Sequence, residues 1–495
     1  MTNFIPKNPR LSKSRFLSGQ QCEKRLYFEV YAPQLATKID GQRQAMLDMG
    51  KQIGDTAQLF FPGGQLVTEG YRQSEAALAR TAALMADPEI PAIFEAAFQF
   101  EDTRIRVDVL ERSGEQSWRL IEVKASSRVK AVHHADLAVQ AYVLQGCGIP
   151  ISNICLMHMN RHYVFQGGEV DLRQLFVVED LTEDVLPRLP KIPNQLEELR
   201  EMLSSETPPM VNPDGHCHTP YECPFWEHCT KDKSDRWIFH LPGTKEVVRR
   251  MRKEGIEEID EIPSRVKLSN LQQRMKDNVE WCSPELRQVL QSVHYPVHHL
   301  DFETFMPAIP LYPRTRPYQP IPTQWSNHIE SEDMKLRHET YLCTDPRDPR
   351  EELAEALLSS LGSEGSICVY SDYEKYVLTA LADALPSLRA DLLQVTHRLW
   401  DLLAVIQNHY YHPGFNGSFS IKSVLPTLVP SLSYENLDIQ NGATASGIYH
   451  HMVFKETDWV EKQRLEAALQ EYCTLDTLGM VELRRVLSEK VQTMV

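Results

Sequence analysis

Apolar positions recur at helical spacing from the N-terminal arm to roughly residue 88. The pattern then changes to short runs rich in β-formers, AIFEAAFQF, TRIRVDVL and WRLIEVKA. A helical stretch, HHADLAVQAYVLQ, follows, and NICLMHM and HYVFQ read as strands again. Strands on both sides of a helix predict a mixed α/β domain, closed by the Pro- and Cys-bearing loop from Thr207 to Cys229. Residues 236 to 290 are charged and turn-poor, which predicts a connector of small helices. From Tyr295 the α/β texture returns, first as a strand in PVHHLDFETF, then as acid-bearing, strand-like runs in SICVYSDYEKYVL and LWDLLAVI. PAIPLYPRTRPYQPIP is too dense in proline for a central strand or a long helix. The chain therefore divides at 1–235, 236–290 and 291–495, with no internal repeat.

Composition narrows the class without choosing a function. Across 495 residues, 42% are hydrophobic and 24% charged, an ordinary globular balance. No stretch of eighteen apolar residues occurs, so no membrane-spanning helix and no membrane partner are expected. The opening MTNFIPKNPRLSKSRF lacks the apolar core of a secretory signal, and a cytoplasmic location is expected. A net charge of −16 argues against a protein that coats nucleic acid with its whole surface. It leaves room for an enzyme whose carboxylates hold divalent metals. In such a compartment the ten cysteines are better read as metal or cluster ligands than as disulfides.

Two constellations carry chemistry in the first part. Asp108 ends RIRVD, and Glu122 and Lys124 follow in Ile121-Glu122-Val123-Lys124. Alternation on a strand puts Glu122 and Lys124 on one face, and a neighbouring strand bearing Asp108 would complete a site of two carboxylates and an ammonium. Such a site suits Mg²⁺ or Mn²⁺, with Lys124 orienting or deprotonating water or stabilising a pentavalent phosphate. Glu95 is a candidate third carboxylate, and Gln140 a brace for the metal shell or a phosphate. A solvated cross-strand Glu122–Lys124 pair is the plainer alternative. The second constellation is Cys217, Cys223 and Cys229 in CHTPYECPFWEHC, with Cys22 far upstream. Four thiols suit a 4Fe–4S cluster that staples the N-terminal arm to the end of the domain. Zinc with His216, His218 or His228 is the alternative, although the spacings are wide for a zinc ribbon. The other cysteines (Cys147, Cys155, Cys282, Cys343, Cys368 and Cys473) sit singly and read as buried thiols.

With these residues in view, residues 11–230 resemble the RecB-type PD-(D/E)XK nucleases, in particular the CRISPR-associated iron–sulfur exonuclease branch. The resemblance rests on Ser12, Ser14, Cys22, Lys24 and Tyr27, the Gly50/Gly54 helix, Asp108, Glu122, Lys124 and Gln140, and the terminal cysteine triplet in order. It implies metal-dependent cleavage of DNA, single-stranded or from an end. Two features depart from it. Asp55 or Gln58 stands near the place of an expected histidine, and Leu144 stands where a tyrosine is expected, with Tyr142 out of phase.

The last part carries a second set of acids. His298-His299-Leu300-Asp301-Phe302-Glu303-Thr304 puts two acids on one strand face, and Tyr472 and Asp476 stack four apart on a helix. Residues 295–495 resemble the DnaQ-like, RNase H-fold 3′–5′ exonucleases of the tyrosine subtype. DFET stands at the first motif and Y-x3-D at the third, while Glu374 takes the acid position of the second, with Asp372 or Asp401 as substitutes. This resemblance implies metal binding by Asp301, Glu303, Glu374 and Asp476, with Tyr472 holding the attacking water. Lys422 is a candidate phosphate contact. The histidine pairs at 133, 298 and 450 and the basic groups Lys7–Arg15, Arg249–Lys253 and Arg347 with Arg350 read as structural or solvated, with Arg249–Lys253 on the connector also a candidate to track phosphates between the two sites.

The joint expectation is an α/β chain: a PD-(D/E)XK restriction-endonuclease-like domain with an iron–sulfur staple, then an RNase H-like exonuclease domain. Together they would form a two-site nuclease on DNA, with RNA as a second candidate. The settings implied are DNA repair or phage defence. No phosphate-binding loop of the GKS or GKT type occurs, so any helicase would be a partner, alone or within a defence system. The alternative is one active site, with the other half a nucleic-acid-binding or assembly module. A zinc-stapled scaffold is the blandest reading.

Overall fold

A computed structural model describes residues 10–243 and 245–493, so Lys7 and the rest of the arm before Arg10 lie outside the described residues. The fold is mixed α/β and divides into two compact units. Unit 1 runs to Asp232 and takes in Ala308–Tyr318; unit 2 holds Lys233–Pro307 and Gln319–Val495. The helical connector thus packs as part of unit 2, and most of the proline-dense segment as part of unit 1. Among the described residues no helix is long and apolar enough to cross a membrane.

In unit 1 the strands are β1 (Leu11–Ser12), β2 (Gln65–Leu66), β3 (Ala92–Phe100), β4 (Thr103–Arg112), β5 (Trp118–Lys124), β6 (Ile151–Met159) and β7 (Phe176–Asp180). They form one sheet in the order β2-β3-β4-β5-β6-β7, with β1 also paired to β4. Apolar residues on the two faces separate into two cores. One, with Leu110 and Leu120, lies against the Ala131–Gly146 helix through Leu137, Ala141 and Leu144; the other, with Val109 and Ile121, includes Ile53 and Ala57 of the Gly41–Gln58 helix.

The alternation that builds these faces switches at one place. Ile93, Ala96 and Phe98 belong to the first core and Phe94 to the second. On the next strand Val107 and Leu110 belong to the first and Val109 to the second. The change of phase falls at Glu95 and Asp108, between the paired positions Phe94–Val109 and Ala96–Val107. Glu95 takes a left-handed backbone (φ 55°), a conformation that costs a non-glycine residue about 1–2 kcal/mol.

HYVFQ is not a strand. Tyr163 and Phe165 are buried in the second core, and Phe165 pairs irregularly with the proline-dense segment, its N–H donating to the Thr315 carbonyl. Pro313 and Pro317 have no N–H to continue such a ladder. Among the described residues the helical pattern before residue 88 comprises four α-helices and a short 3-10 turn at Pro33–Leu35, with β1 ahead of the first helix and β2 before the last, each too short to leave a periodic signal.

In unit 2, β8 (Trp281–Cys282) pairs with β14 (Tyr410–Tyr411). The main sheet holds β9 (Val297–Phe305), β10 (Ile321–Glu330), β11 (Leu336–Leu342), β12 (Ile367–Val369) and β13 (Leu399–Asp401), in the order β11-β10-β9-β12-β13. Only β10 runs against the other four. Pro322 enters the start of β10 where the register with β9 shifts, a position that tolerates a missing N–H. The runs SICVYSDYEKYVL and LWDLLAVI are each strand for three residues only, then become the helices Tyr373–Ala384 and Leu402–His409.

Leu300 and Phe302 face an apolar core with the helices Arg350–Leu361 and Tyr373–Ala384. The opposite face is polar. Ser326 and His328 hydrogen-bond Thr477 at 2.7 and 2.8 Å, and Gln324 donates to the Leu469 carbonyl at 3.0 Å. These bonds set the phase of the long Trp459–Thr493 helix against the sheet. Burial lowers the pKa of His298 and His328 to about 4, so both are neutral at physiological pH.

Candidate functional site

A fork in the unit 1 sheet builds its site. The edge of β4 pairs with β5 from Val109 to Arg112 and with β1 at Thr103 and Arg104. Asp108 lies where β5 leaves β4, and its carboxylate accepts the Val123 N–H at 2.8 Å. Lys13 follows β1 directly and enters the same gap. Its ammonium bonds both Glu122 oxygens at 2.9 and 3.0 Å and stands 3.8 Å from both Asp108 and Asp136. Lys124 meets Glu122 at 2.5 Å and Asp136 at 2.7 Å. Gln140 donates to Glu122 at 2.7 Å and to Asp136, one turn earlier on its helix, at 3.0 Å. Glu95, Asp108, Glu122, Lys13 and Lys124 line a cleft of about 330 Å³, walled on one side by Gly50, Gly54, Asp55 and Gln58.

Burial alone would neutralise Glu122, but Lys124 and Lys13 outweigh it and hold the carboxylate ionised, well below the usual range. Burial also opposes the charge on both lysines, and the acids around them overcome it, keeping both as ammonium ions. Held as an ammonium ion, Lys124 has no lone pair free to accept a proton. Asp108 is pushed up to about 7 by burial and then by Glu122. The Gln140 side-chain oxygen is buried without a partner, and its nitrogen is committed to two acids. That oxygen fits the donor a metal-bound water would present.

The four predicted cysteines meet elsewhere in unit 1. Cys22 has an extended backbone between the helices Lys13–Gln21 and Glu23–Tyr31, and it lines one small cavity with Cys217, Cys223 and Cys229. Phe28, Phe225 and Tyr27 pack around the thiols, and Gln21 ties the arm to the His216 and Tyr221 carbonyls at 2.8 and 2.6 Å. Burial pushes the Cys217 thiol up to about 11. His216 also lines the cavity, 3.6 Å from the Cys217 sulfur. His218 bonds Glu222 and His228 packs edge-on against Phe28.

In unit 2, Asp301 and Glu303 project from the polar face of β9 and meet Asp476 on the long helix. Among the described residues this is the group whose donor atoms all lie within 4.8 Å of one another. Leu469, Tyr472, Cys473, Asp476 and Thr477 share the helix face turned to the sheet. Glu374, in the first turn of its helix, is buried, whereas Asp372 is exposed and Asp401 caps the Leu402–His409 helix through the Ala404 N–H at 3.1 Å. Burial and then Asp476 push Glu303 up to about 8, and burial does the same to Glu374. Asp476 rises to about 6 through burial, against hydrogen bonds from Tyr434 and Tyr472. The Tyr434 bond is 2.5 Å. Lys422 lies 5.1 Å from the Tyr472 ring centroid and donates to the Gln440 carbonyl at 2.5 Å.

Carboxyls raised in this way favour the fold when protonated. Their contribution is fully present below the unfolded pKa of about 4 and is lost as pH rises through 6 to 8. A divalent ion would relieve the repulsion, most effectively where the acids ionise. In EDTA the melting temperature of unit 2 is therefore expected to fall between pH 6 and 8.5. Mg²⁺ or Mn²⁺ should raise it more at pH 8.5 than at pH 6, as followed by differential scanning calorimetry.

The structure also adds residues absent from the sequence reading. Lys13 reads as one of a solvated basic group in sequence, although it stands between Ser12 and Ser14. Asp136 lies four residues before Gln140, a spacing that could have marked it. Tyr434 has no such signal, because only the tertiary fold brings it to Asp476. Tyr142 packs edge-on against Phe100 and Leu144 is fully buried, so neither meets the acids.

A family model described as a domain of unknown function (DUF2779) matches residues 298–420. The match includes Asp301, Glu303 and Glu374 and stops short of Tyr472 and Asp476. No curated protein and no solved structure matches the chain.

Proposed function

We propose that the protein is a metal-dependent nuclease that hydrolyses phosphodiester bonds of DNA, single-stranded or from ends, with one active site in each unit. The observation that carries the reading is the convergence of Asp301, Glu303 and Asp476, from a strand and a helix far apart in sequence, into one set of carboxylate donors. Phosphodiester hydrolysis asks chiefly for such a set, since it depends on charge neutralisation and on alignment of water. Mg²⁺ or Mn²⁺ held there would polarise the phosphate and lower the pKa of a bound water. In unit 2, Asp301, Glu303 and Asp476, with Glu374 nearby, would hold the metal, and the Tyr472 hydroxyl, kept protonated at neutral pH by burial and Asp476, would position a water. In unit 1, Asp108 and Glu122 would hold it with Glu95 lining the same cleft, Gln140 braces Glu122, and Lys124 would stabilise charge on a phosphate.

This reading corresponds to a PD-(D/E)XK-like unit followed by an RNase H-like exonuclease unit. The phase change at Glu95 and Asp108 supports it, because it aims both acids at the cleft at a cost in backbone strain. Cys22, Cys217, Cys223 and Cys229 fit a 4Fe–4S cluster that fastens the N-terminal arm. Anaerobically purified protein is expected to show broad visible absorption that Cys22→Ser removes; stoichiometric zinc without absorption would replace the cluster with a zinc staple.

The nuclease reading is tested by digestion of end-labelled single-stranded DNA and RNA. Cleavage is expected with Mg²⁺ or Mn²⁺, to vanish in EDTA, and to be faster on DNA. Intact protein that cleaves neither polymer in either metal overturns the reading.

A further inference from the structure

Every acceptor position on Glu122 is taken. A carboxylate offers about four lone-pair sites, and Glu122 receives Lys13 on both oxygens, Lys124 on one and Gln140 on the other. A divalent ion such as Mg²⁺ must approach a carboxylate oxygen to about 2.0–2.1 Å, so one of these donors has to leave first. Gln140 is fully buried and also bonded to Asp136. Lys124 is fixed by its strand and by a 2.7 Å contact to Asp136. Lys13 has only 3.8 Å approaches beyond Glu122. It also lines a second cavity, of about 130 Å³, whose wall is largely apolar (Leu78, Phe98 and Ile105 among others) and carries Ser12, Ser14 and Arg104 at its polar side, Arg104 also pairing with Glu75 at 2.9 Å. Hydroxyls and a guanidinium are donors suited to a phosphate.

We propose that Lys13 couples metal loading to phosphate binding in unit 1. With the carboxylates metal-free, its ammonium is the counter-ion of Glu122; to admit a divalent ion it releases Glu122 and turns toward the second cavity, where it meets a phosphate of the bound strand. Metal and nucleic acid then each favour the Lys13 position that the other needs, and by linkage the effect is reciprocal. The inference rests on the nuclease reading of unit 1 and assigns to that site a residue that positions phosphate and regulates metal entry.

The test uses the full chain carrying Asp476→Asn, so that Mn²⁺ binding reports unit 1. Mn²⁺ affinity is measured by calorimetry with and without a phosphorothioate single strand that resists cleavage. With Lys13 present, the oligonucleotide is expected to tighten Mn²⁺ about tenfold. Lys13→Met is expected to bind Mn²⁺ more tightly on its own, and the gain from the oligonucleotide is expected to shrink severalfold. Lys13→Gln, which keeps a donor without the charge, serves as the second variant and should behave alike. A simple loss of positive charge would tighten Mn²⁺ and leave the gain unchanged, so equal gains with and without Lys13 overturn the proposal. If the Asp476→Asn protein itself takes up no Mn²⁺, the nuclease reading of unit 1 fails instead.

Discussion

Asp476→Asn is expected to lower cleavage by unit 2 by about 10³-fold or more and to leave the protein at least as stable without metal. Asp476 sits where both effects meet. It completes the donor set with Asp301 and Glu303, and it receives the Tyr434 hydroxyl at 2.5 Å. Asparagine keeps the shape and an oxygen that accepts from Tyr434. It removes the charge that burial and the neighbouring acids oppose. Loss of activity with an unchanged or raised melting temperature in EDTA is therefore the signature of a metal ligand, because a scaffold residue would lose both together. The pH-dependent stabilisation by Mg²⁺ should disappear in the same variant. The measurement is digestion of end-labelled single-stranded DNA beside calorimetry, and an unaltered product pattern would remove unit 2 from the list of active sites.

How much of this was legible before folding differs between the two sites. Asp301 and Glu303 follow from alternation along one strand, and Tyr472 and Asp476 from a four-residue helical spacing, so local periodicity sufficed. Glu374 was readable as an acid in the right region, but its first-turn helical position was not, because SICVYSDYEKYVL is apolar enough for either strand or helix. In unit 1, Glu122 and Lys124 were equally legible. Asp108 and Glu95 were less so: a strict period of two cannot anticipate a change of phase on two adjacent strands. Lys13 was hidden most completely. Its place depends on the two-residue strand β1 docking beside β4, a long-range pairing that no window of sequence contains. The cysteines are the reverse case, since their chemistry marked them although Cys22 stands 195 residues from Cys217, and they line one cavity.

Lys124→Ala supplies the second large effect, and it decides whether the chain has two active sites or one. In the Asp476→Asn background the residual cleavage belongs to unit 1, and Lys124→Ala is expected to lower it by about 10²- to 10³-fold. The substitution also strips an ammonium from Glu122 and Asp136, which are both buried. Breaking a buried ion pair costs roughly 3–5 kcal/mol, and Lys13 at 2.9 Å from Glu122 should keep the cost at or below the lower end. Activity and stability therefore need separating, and Lys124→Arg does so. Its guanidinium restores the charge and the melting temperature, but its planar fork cannot place a point charge where an ammonium stands, so cleavage should stay depressed. If Asp476→Asn alone abolishes all cleavage and Lys124→Ala alters only DNA affinity, unit 1 is a binding module that kept the charges of a nuclease. If each substitution removes its own part of the product pattern, the acids of both units cut.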